Sequence, residues 1–117
     1  MKGLLASLAG IAALVGSTVA FAAPNTAATV RLVYVTSPVR AGAHAILVAR
    51  VHPAPLCTIA VHYKTTISHA RGLYPKRPVH GRVSWTWMVG TNTTPGRWPI
   101  TVNCGSAGRF TTHFRTT

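Results

Sequence analysis

Apolar and polar residues alternate in short segments along most of the chain after residue 28, and Pro and Gly separate these segments. None of the segments repeats its apolar residues with the period of about 3.6 that an amphipathic helix requires. Alternation with a period of about two is typical of β-strands that bury one face. We therefore predict an all-β protein with six strands, at residues 29–37, 44–52, 57–65, 82–90, 97–105 and 108–116.

The tryptophans follow this alternation. Trp85 and Trp87 share their parity with valines, whereas the residues beside them, Ser84 and Thr86, are polar. A platform that stacks a sugar or a base needs polar neighbours on the same face as its aromatic rings. The parity therefore favours buried rings, and we predict a core that includes Trp85, Trp87, Trp98, Ile59, Val61, Tyr63, Ile100 and Val102.

Short strands with turn signals between them are typical of β-sandwiches. We predict one immunoglobulin-like β-sandwich of about six to seven short strands over residues 23–117. A small OB-type barrel is the alternative fold, because it shows the same alternation. The sequence TNTTPG between the fourth and fifth strands has turn chemistry, and we interpret those two strands as a hairpin turned at Pro95 and Gly96.

The first residues of the chain predict export. Met1 and Lys2 precede a long uncharged apolar run that ends in Ala20-Phe21-Ala22, a small-x-small cleavage signal. We predict a signal peptide at residues 1–22 and a secreted or cell-surface protein. Retention of this run as a membrane anchor remains the alternative. The mature chain of about 95 residues is expected to have no membrane span.

The two cysteines of the chain, Cys57 and Cys104, have the parity of the apolar face in their predicted strands. No Cys-x-x-Cys spacing indicates a metal site, and an exported protein enters an oxidising compartment. We predict a disulfide between them. Closing a loop of this length stabilises a small domain by about 4 kcal/mol.

The chain has twelve Lys and Arg residues and no Asp or Glu. It therefore lacks the carboxylates that general acid–base catalysis and hard-cation binding use. Its six histidines show no metal-ligand spacing. We predict a protein without enzymatic activity, cofactor, metal or catalytic residue. The positive charge is consistent with simple solubility or with attraction to anionic polymers.

The segment 65–81 is unusually long for a connection in a small domain and is rich in basic residues. If it lies near the second and third strands, their outward cations and its own form one patch. The candidate polyanion-binding residues are Arg50, Lys64, Arg71, Lys76, Arg77 and Arg82. No RNA-binding aromatic motif or recognition helix accompanies them, so we do not expect sequence-specific binding of nucleic acid.

The sequence VSWTWMVGTNTTPGRWPITVNCG at residues 83–105 resembles a family of small immunoglobulin-like domains in secreted and surface bacterial proteins. The family pattern is VSWTWxVGxxTxxGxWPVxVxC, and the resemblance covers residues 30–115. Two earlier segments also match, through Cys57, Ile59, Val61, Tyr63 and Lys64 and then through Ser68, Ala70, Gly72, Leu73 and Lys76. The strongly basic sequence HARGLYPKRPVHGR departs from the family pattern.

The resemblance implies structural roles for the tryptophans, the cysteines and the glycines, and no catalytic residue. We expect a non-enzymatic binding or structural module at the cell envelope, whose partner is an anionic envelope polymer or another surface protein. The alternative function is that of a cationic effector or antimicrobial protein, which acts on anionic membranes or nucleic acid.

Overall fold

The computed structural model describes residues 27–117, so the predicted signal peptide lies outside the described residues. The described chain forms six strands: β1 (Thr29–Val35), β2 (His44–His52), β3 (Thr58–Val61), β4 (Arg82–Met88), β5 (Gly96–Asn103) and β6 (Arg109–Thr116). A turn of 3-10 helix, Gly105–Ala107, connects β5 and β6. The prediction of an all-β protein is confirmed.

The strands form two antiparallel sheets. The first sheet has the order β1-β2-β4 and the second sheet the order β3-β5-β6. These orders match A-B-E and C-F-G of an immunoglobulin constant-type sandwich without its strand D. At one edge, Val39 forms a parallel bridge with Thr116, which joins the segment after β1 to β6. The predicted immunoglobulin-like sandwich is confirmed, and the barrel alternative is wrong.

The predicted hairpin of the fourth and fifth strands is also wrong. Strand β4 belongs to the first sheet and β5 to the second, so residues 89–95 cross between the sheets. Strand parity shows which face of a strand is buried. The parity pattern is the same for two strands that are neighbours in one sheet and for two strands that face each other across a sandwich. Parity therefore cannot show which of these two arrangements a pair of strands adopts.

The first sheet contributes two large aromatic rings to the core. Trp87 of β4 lies opposite Ala45 of β2, and the neighbouring inward pair is Trp85 with Leu47. Trp85 and Trp87 are 0% and 1% exposed. The small side chain of Ala45 leaves room for the indole of Trp87, whose ring meets Phe114 of β6 edge-on at 5.8 Å. This contact joins the two sheets. Such aromatic pairs stabilise a fold by more than the burial of their apolar area alone provides.

The second sheet contributes fully buried aliphatic side chains and a less buried aromatic edge. Val61, Ile100 and Val102 are 0% exposed. Ile59, Tyr63 and Trp98 pack against this core and are partly buried. The indole nitrogen Nε1 of Trp98 donates hydrogen bonds to the carbonyl of Thr94 and to Oγ1 of Thr116, at 3.1 and 3.0 Å. All eight predicted core residues therefore lie in or against the core.

The predicted disulfide between Cys57 and Cys104 is present. Thr58 of β3 is paired with Asn103 of β5, so the cysteines lie opposite each other at the end of two adjacent strands. Their Cα atoms are 4.1 Å apart, and both residues are 0% exposed. The bond thus joins two strands of one sheet rather than the two sheets.

The third strand is shorter than predicted, because the chain reverses soon after Val61. The backbones of Tyr63 and Thr66 exchange hydrogen bonds of 2.8 and 3.4 Å, which places Lys64 and Thr65 at the tip of a tight turn. The remainder of the segment up to residue 81 then crosses from the second sheet to the first.

Three contacts fix this crossing segment. The backbones of Cys57 and Lys76 pair through hydrogen bonds of 2.8 and 2.9 Å. The indole nitrogen of Trp85 donates to the carbonyl of Tyr74 at 2.8 Å. Gly72 has a φ of +95°, and a Cβ there would collide with the backbone oxygen of Thr86. The segment is therefore held against the free edge of β4 as part of the fold.

Candidate anion-binding surface

Three arginines lie side by side across the outer face of the first sheet. Arg50 of β2 is paired with Arg31 of β1 on one side and with Arg82 of β4 on the other. Directly opposite residues on adjacent antiparallel strands have Cβ atoms about 4.5–5.5 Å apart. All three side chains are exposed. We call Arg31, Arg50 and Arg82 the arginine row.

The arginine row concentrates positive charge that the protein itself does not neutralise. Like charges directly opposite each other on a sheet are destabilising. The chain contains no Asp or Glu, so no carboxylate side chain is present to separate or pair with them. Guanidinium groups bind phosphate and carboxylate oxygens through paired hydrogen bonds. A bound anion therefore both relieves the repulsion and satisfies the donors.

Two histidines lie beside the row, towards the end of the sheet. His52 follows Arg50 by two residues and is paired with Thr29. His80 and Gly81 form the turn before Arg82, with φ of +53° and +76°. Positive φ at both central residues is the geometry of a type I′ turn. Both imidazoles are exposed, so they extend the polar, donor-rich end of this face.

Arg31 was not among the residues predicted from the sequence, although its neighbour in the row, Arg50, was a candidate. Arg31 lies in the first predicted strand, but the register between strands is not readable from one sequence. Alternation within a strand indicates the face on which a residue lies, and only pairing shows which residues are adjacent. The sequence did indicate that all three arginines of the row occupy solvent-facing positions in their strands.

Of the six candidate polyanion-binding residues, only Arg50 and Arg82 are directly paired. Strands β2 and β3 lie in opposite sheets, so the second and third strands do not form one basic surface with the long segment. Lys64 lies at the tip of the turn that follows β3, Arg71 lies beside the far end of β4, and Arg77 is exposed between Lys76 and the type I′ turn.

Lys76 is held against the free edge of β4. Its Nζ atom donates a hydrogen bond of 2.6 Å to the carbonyl of Ser84. The same ammonium lies 5.5 Å from the ring centre of Tyr74, within the range of a cation–π contact. Because Lys76 binds backbone and ring, its charge contributes to holding the crossing segment as well as to the basic surface.

Two of the clefts that residues 27–117 form lie outside the arginine row. A cleft of about 400 Å³ is lined by polar residues of the 89–95 connection together with Lys64, Tyr63 and Trp98. A second cleft, of about 600 Å³, has a more apolar lining and lies where the crossing segment meets the end of β4. His44, Arg71, Trp87 and Met88 are among its lining residues.

Tyr63 carries a hydroxyl that is buried at the side of the first cleft. Within residues 27–117, neither this hydroxyl nor Nε1 of Trp87 has a hydrogen-bond partner of good geometry. Burial raises the pKa of the Tyr63 phenol above its ordinary value, and the nearby indole of Trp87 offsets part of that rise. The phenol therefore stays neutral at physiological pH.

Residues 27–117 contain no group of three side chains placed to hold a metal ion. Among the same residues, no helix has the length and apolar character needed to cross a membrane. No protein-family model matches the chain, and no curated protein matches it significantly. The candidate site therefore rests on the chemistry of the arginine row itself.

Proposed function

We propose that the protein is an exported, non-enzymatic immunoglobulin-like module that binds anionic polymers at the cell envelope. A disulfide in a small β-domain is typical of oxidising, extracytoplasmic compartments. The net charge of +12 with no acidic residue favours long-range attraction to polyanions. The fold supplies a rigid sheet on which the charges have fixed positions.

The arginine row is the single observation that carries this proposal. Total charge attracts polyanions from any direction, but the pairing of Arg31, Arg50 and Arg82 concentrates guanidinium groups on one face. Sheet strands lie about 4.7–4.9 Å apart, so the row presents a line of donors across roughly two strand spacings. A chain of phosphate, sulfate or carboxylate groups can contact several of these donors at once.

The test compares two triple variants of equal net charge. One is R31Q/R50Q/R82Q, and its matched control, R40Q/R97Q/R109Q, removes three exposed arginines outside the row. Binding to long-chain polyphosphate is measured by calorimetry at several salt concentrations. We expect the row variant to lose much more affinity than the control. Equal losses would show that only net charge matters and would contradict a binding role for the row.

The alternative function, a cationic effector that damages anionic membranes or coats nucleic acid, is supported by the same net charge. It predicts release of a dye trapped in anionic vesicles, whereas a binding module leaves the vesicles intact. Dye release at physiological salt would favour the effector. Binding without release favours the module.

A further inference from the structure

The outer face of the first sheet also carries an apolar patch. Tyr34, Ile46 and Met88 are 54%, 39% and 47% exposed. The outer face of an antiparallel sheet in a soluble domain is usually polar. We use the term apolar patch for Tyr34, Ile46, Val48 and Met88.

The apolar patch lies directly beside the arginine row. Val48 precedes Arg50 by two residues on the same face of β2 and is paired with Tyr34. Two residues along a strand span about 6.6 Å, so the patch begins one row away from the arginines. Ile46, paired with Thr86, and Met88, paired with His44, continue the patch along the sheet.

Positive charge is present at the other end of the patch as well. Arg71 lines the cleft of about 600 Å³, together with Met88. Arg71 is exposed, and Gly72 beside it packs against the backbone of Thr86. The apolar patch is therefore bordered by arginine side chains at both ends.

We propose that this face docks on an anionic lipid surface. Phosphate groups of the lipid headgroups bind the arginine row, and the apolar patch enters the boundary between headgroups and acyl chains. Peripheral proteins combine these two contributions, burial of apolar area and attraction to anionic lipid. The inference rests on the proposed function for the anion-binding role of the row, and it goes beyond that function by adding an anionic lipid surface as a second partner of the same face.

The composition of the face favours lipid over its alternatives. A hydrophilic anionic polymer matches the arginine row but offers nothing apolar to Tyr34, Ile46 or Met88. A second copy of the chain would bring a further arginine row and no acidic side chain, so packing two such faces together is repulsive. An anionic bilayer matches both the charged and the apolar part of the surface.

The experiment measures binding of the purified protein to vesicles made of equal amounts of phosphatidylglycerol and phosphatidylcholine, at physiological salt. Long-chain polyphosphate is the second probe. The apolar-patch variant is Y34S/I46T/M88Q. Its matched control, L56T/I67T/Y74S, changes three apolar residues of similar exposure that lie outside the first sheet. All variants share residues 1–26, so any contribution of that segment is common to them.

We expect the apolar-patch variant to lose about tenfold in vesicle affinity and to keep its affinity for polyphosphate. The row variant R31Q/R50Q/R82Q loses affinity for both probes, by about a hundredfold for vesicles, because each arginine near an anionic surface contributes several-fold. The control L56T/I67T/Y74S binds like the unmodified protein.

The outcomes separate this inference from the proposed function. If the unmodified protein binds polyphosphate through the row but binds vesicles no better than the apolar-patch variant does, the lipid inference is wrong and the polymer function stands. Equal vesicle binding by the apolar-patch variant and its control would likewise contradict the lipid inference. If the row variant binds both probes normally, both proposals fail.

Discussion

The outer faces of the two sheets share one feature and differ in another. The second sheet also places two arginines opposite each other, Arg97 of β5 and Arg115 of β6. Its other outward pairs include Thr101 with Thr111. Among the residues that the structure describes, no large exposed apolar side chain lies in β3, β5 or β6, whereas the outer face of β1, β2 and β4 carries Tyr34, Ile46 and Met88.

The comparison shows that basic charge alone does not distinguish a binding face on this protein. Both faces are basic, because a chain without acidic residues places uncompensated cations wherever its strands are exposed. The first face differs because three of its arginines are directly paired in one row, and because the apolar patch lies next to that row. Adjacent charged and apolar areas mark a surface that meets a partner of mixed polarity.

The largest expected effect is the loss of stability when the disulfide is removed. The same variant tests whether lipid binding by the first face depends on the second sheet. The disulfide lies between strands of the second sheet, so C57A/C104A should remove about 2–5 kcal/mol from the free energy of unfolding. Chemical denaturation measures this loss. At temperatures where the variant is folded, its affinity for anionic vesicles should match that of the unmodified protein. A large loss of affinity in the folded variant would show that the first face depends on the second sheet.

The next effect concerns salt dependence, measured with a short DNA duplex as a polyanion without lipid. Each lost phosphate contact lowers the slope of log affinity against log salt by about one. Neutralising Arg31, Arg50 and Arg82 should therefore lower that slope by about two to three. R97Q/R115Q should change it far less. Equal changes per arginine would mean that both faces contact the polyanion.

The smallest expected effect is on stability at low salt. Arg50 has a like charge on each side, whereas Arg115 has one directly opposite partner, Arg97. Since such pairs cost about 0.2–1 kcal/mol each, R50Q should stabilise the fold more than R115Q. Thermal unfolding at low and high salt measures both gains, which should shrink at high salt because of screening. A larger gain for R115Q would contradict the assigned pairing.

Strand parity and cysteine content predicted much of this fold from the sequence. The buried positions of Trp85 and Trp87 follow from alternation, which is a local property of an extended chain. The pairing of Cys57 with Cys104 follows from their number and from the predicted export of the chain. These features depend on neighbours in sequence or on composition alone.

The features that could not be predicted from the sequence depend on contacts between strands. The sequence did not show that β4 and β5 lie in different sheets, nor that Arg31, Arg50 and Arg82 are in register. Register depends on turn geometry and on the packing of one strand against another. The type I′ turn at His80 and Gly81, for example, fixes the start of β4 and so the position of Arg82.

The most direct test of the central claim observes which face contacts lipid. The chain has two methionines, Met1 and Met88, and Met88 lies in the apolar patch. Its methyl group can be followed by NMR of protein labelled at the methyl groups of methionine and threonine, on bilayers that contain spin-labelled lipid. We predict strong broadening of the Met88 methyl signal on phosphatidylglycerol bilayers and none on neutral bilayers. A sharp Met88 signal, together with broadened methyl signals of Thr101 and Thr111 on the second face, would contradict the account.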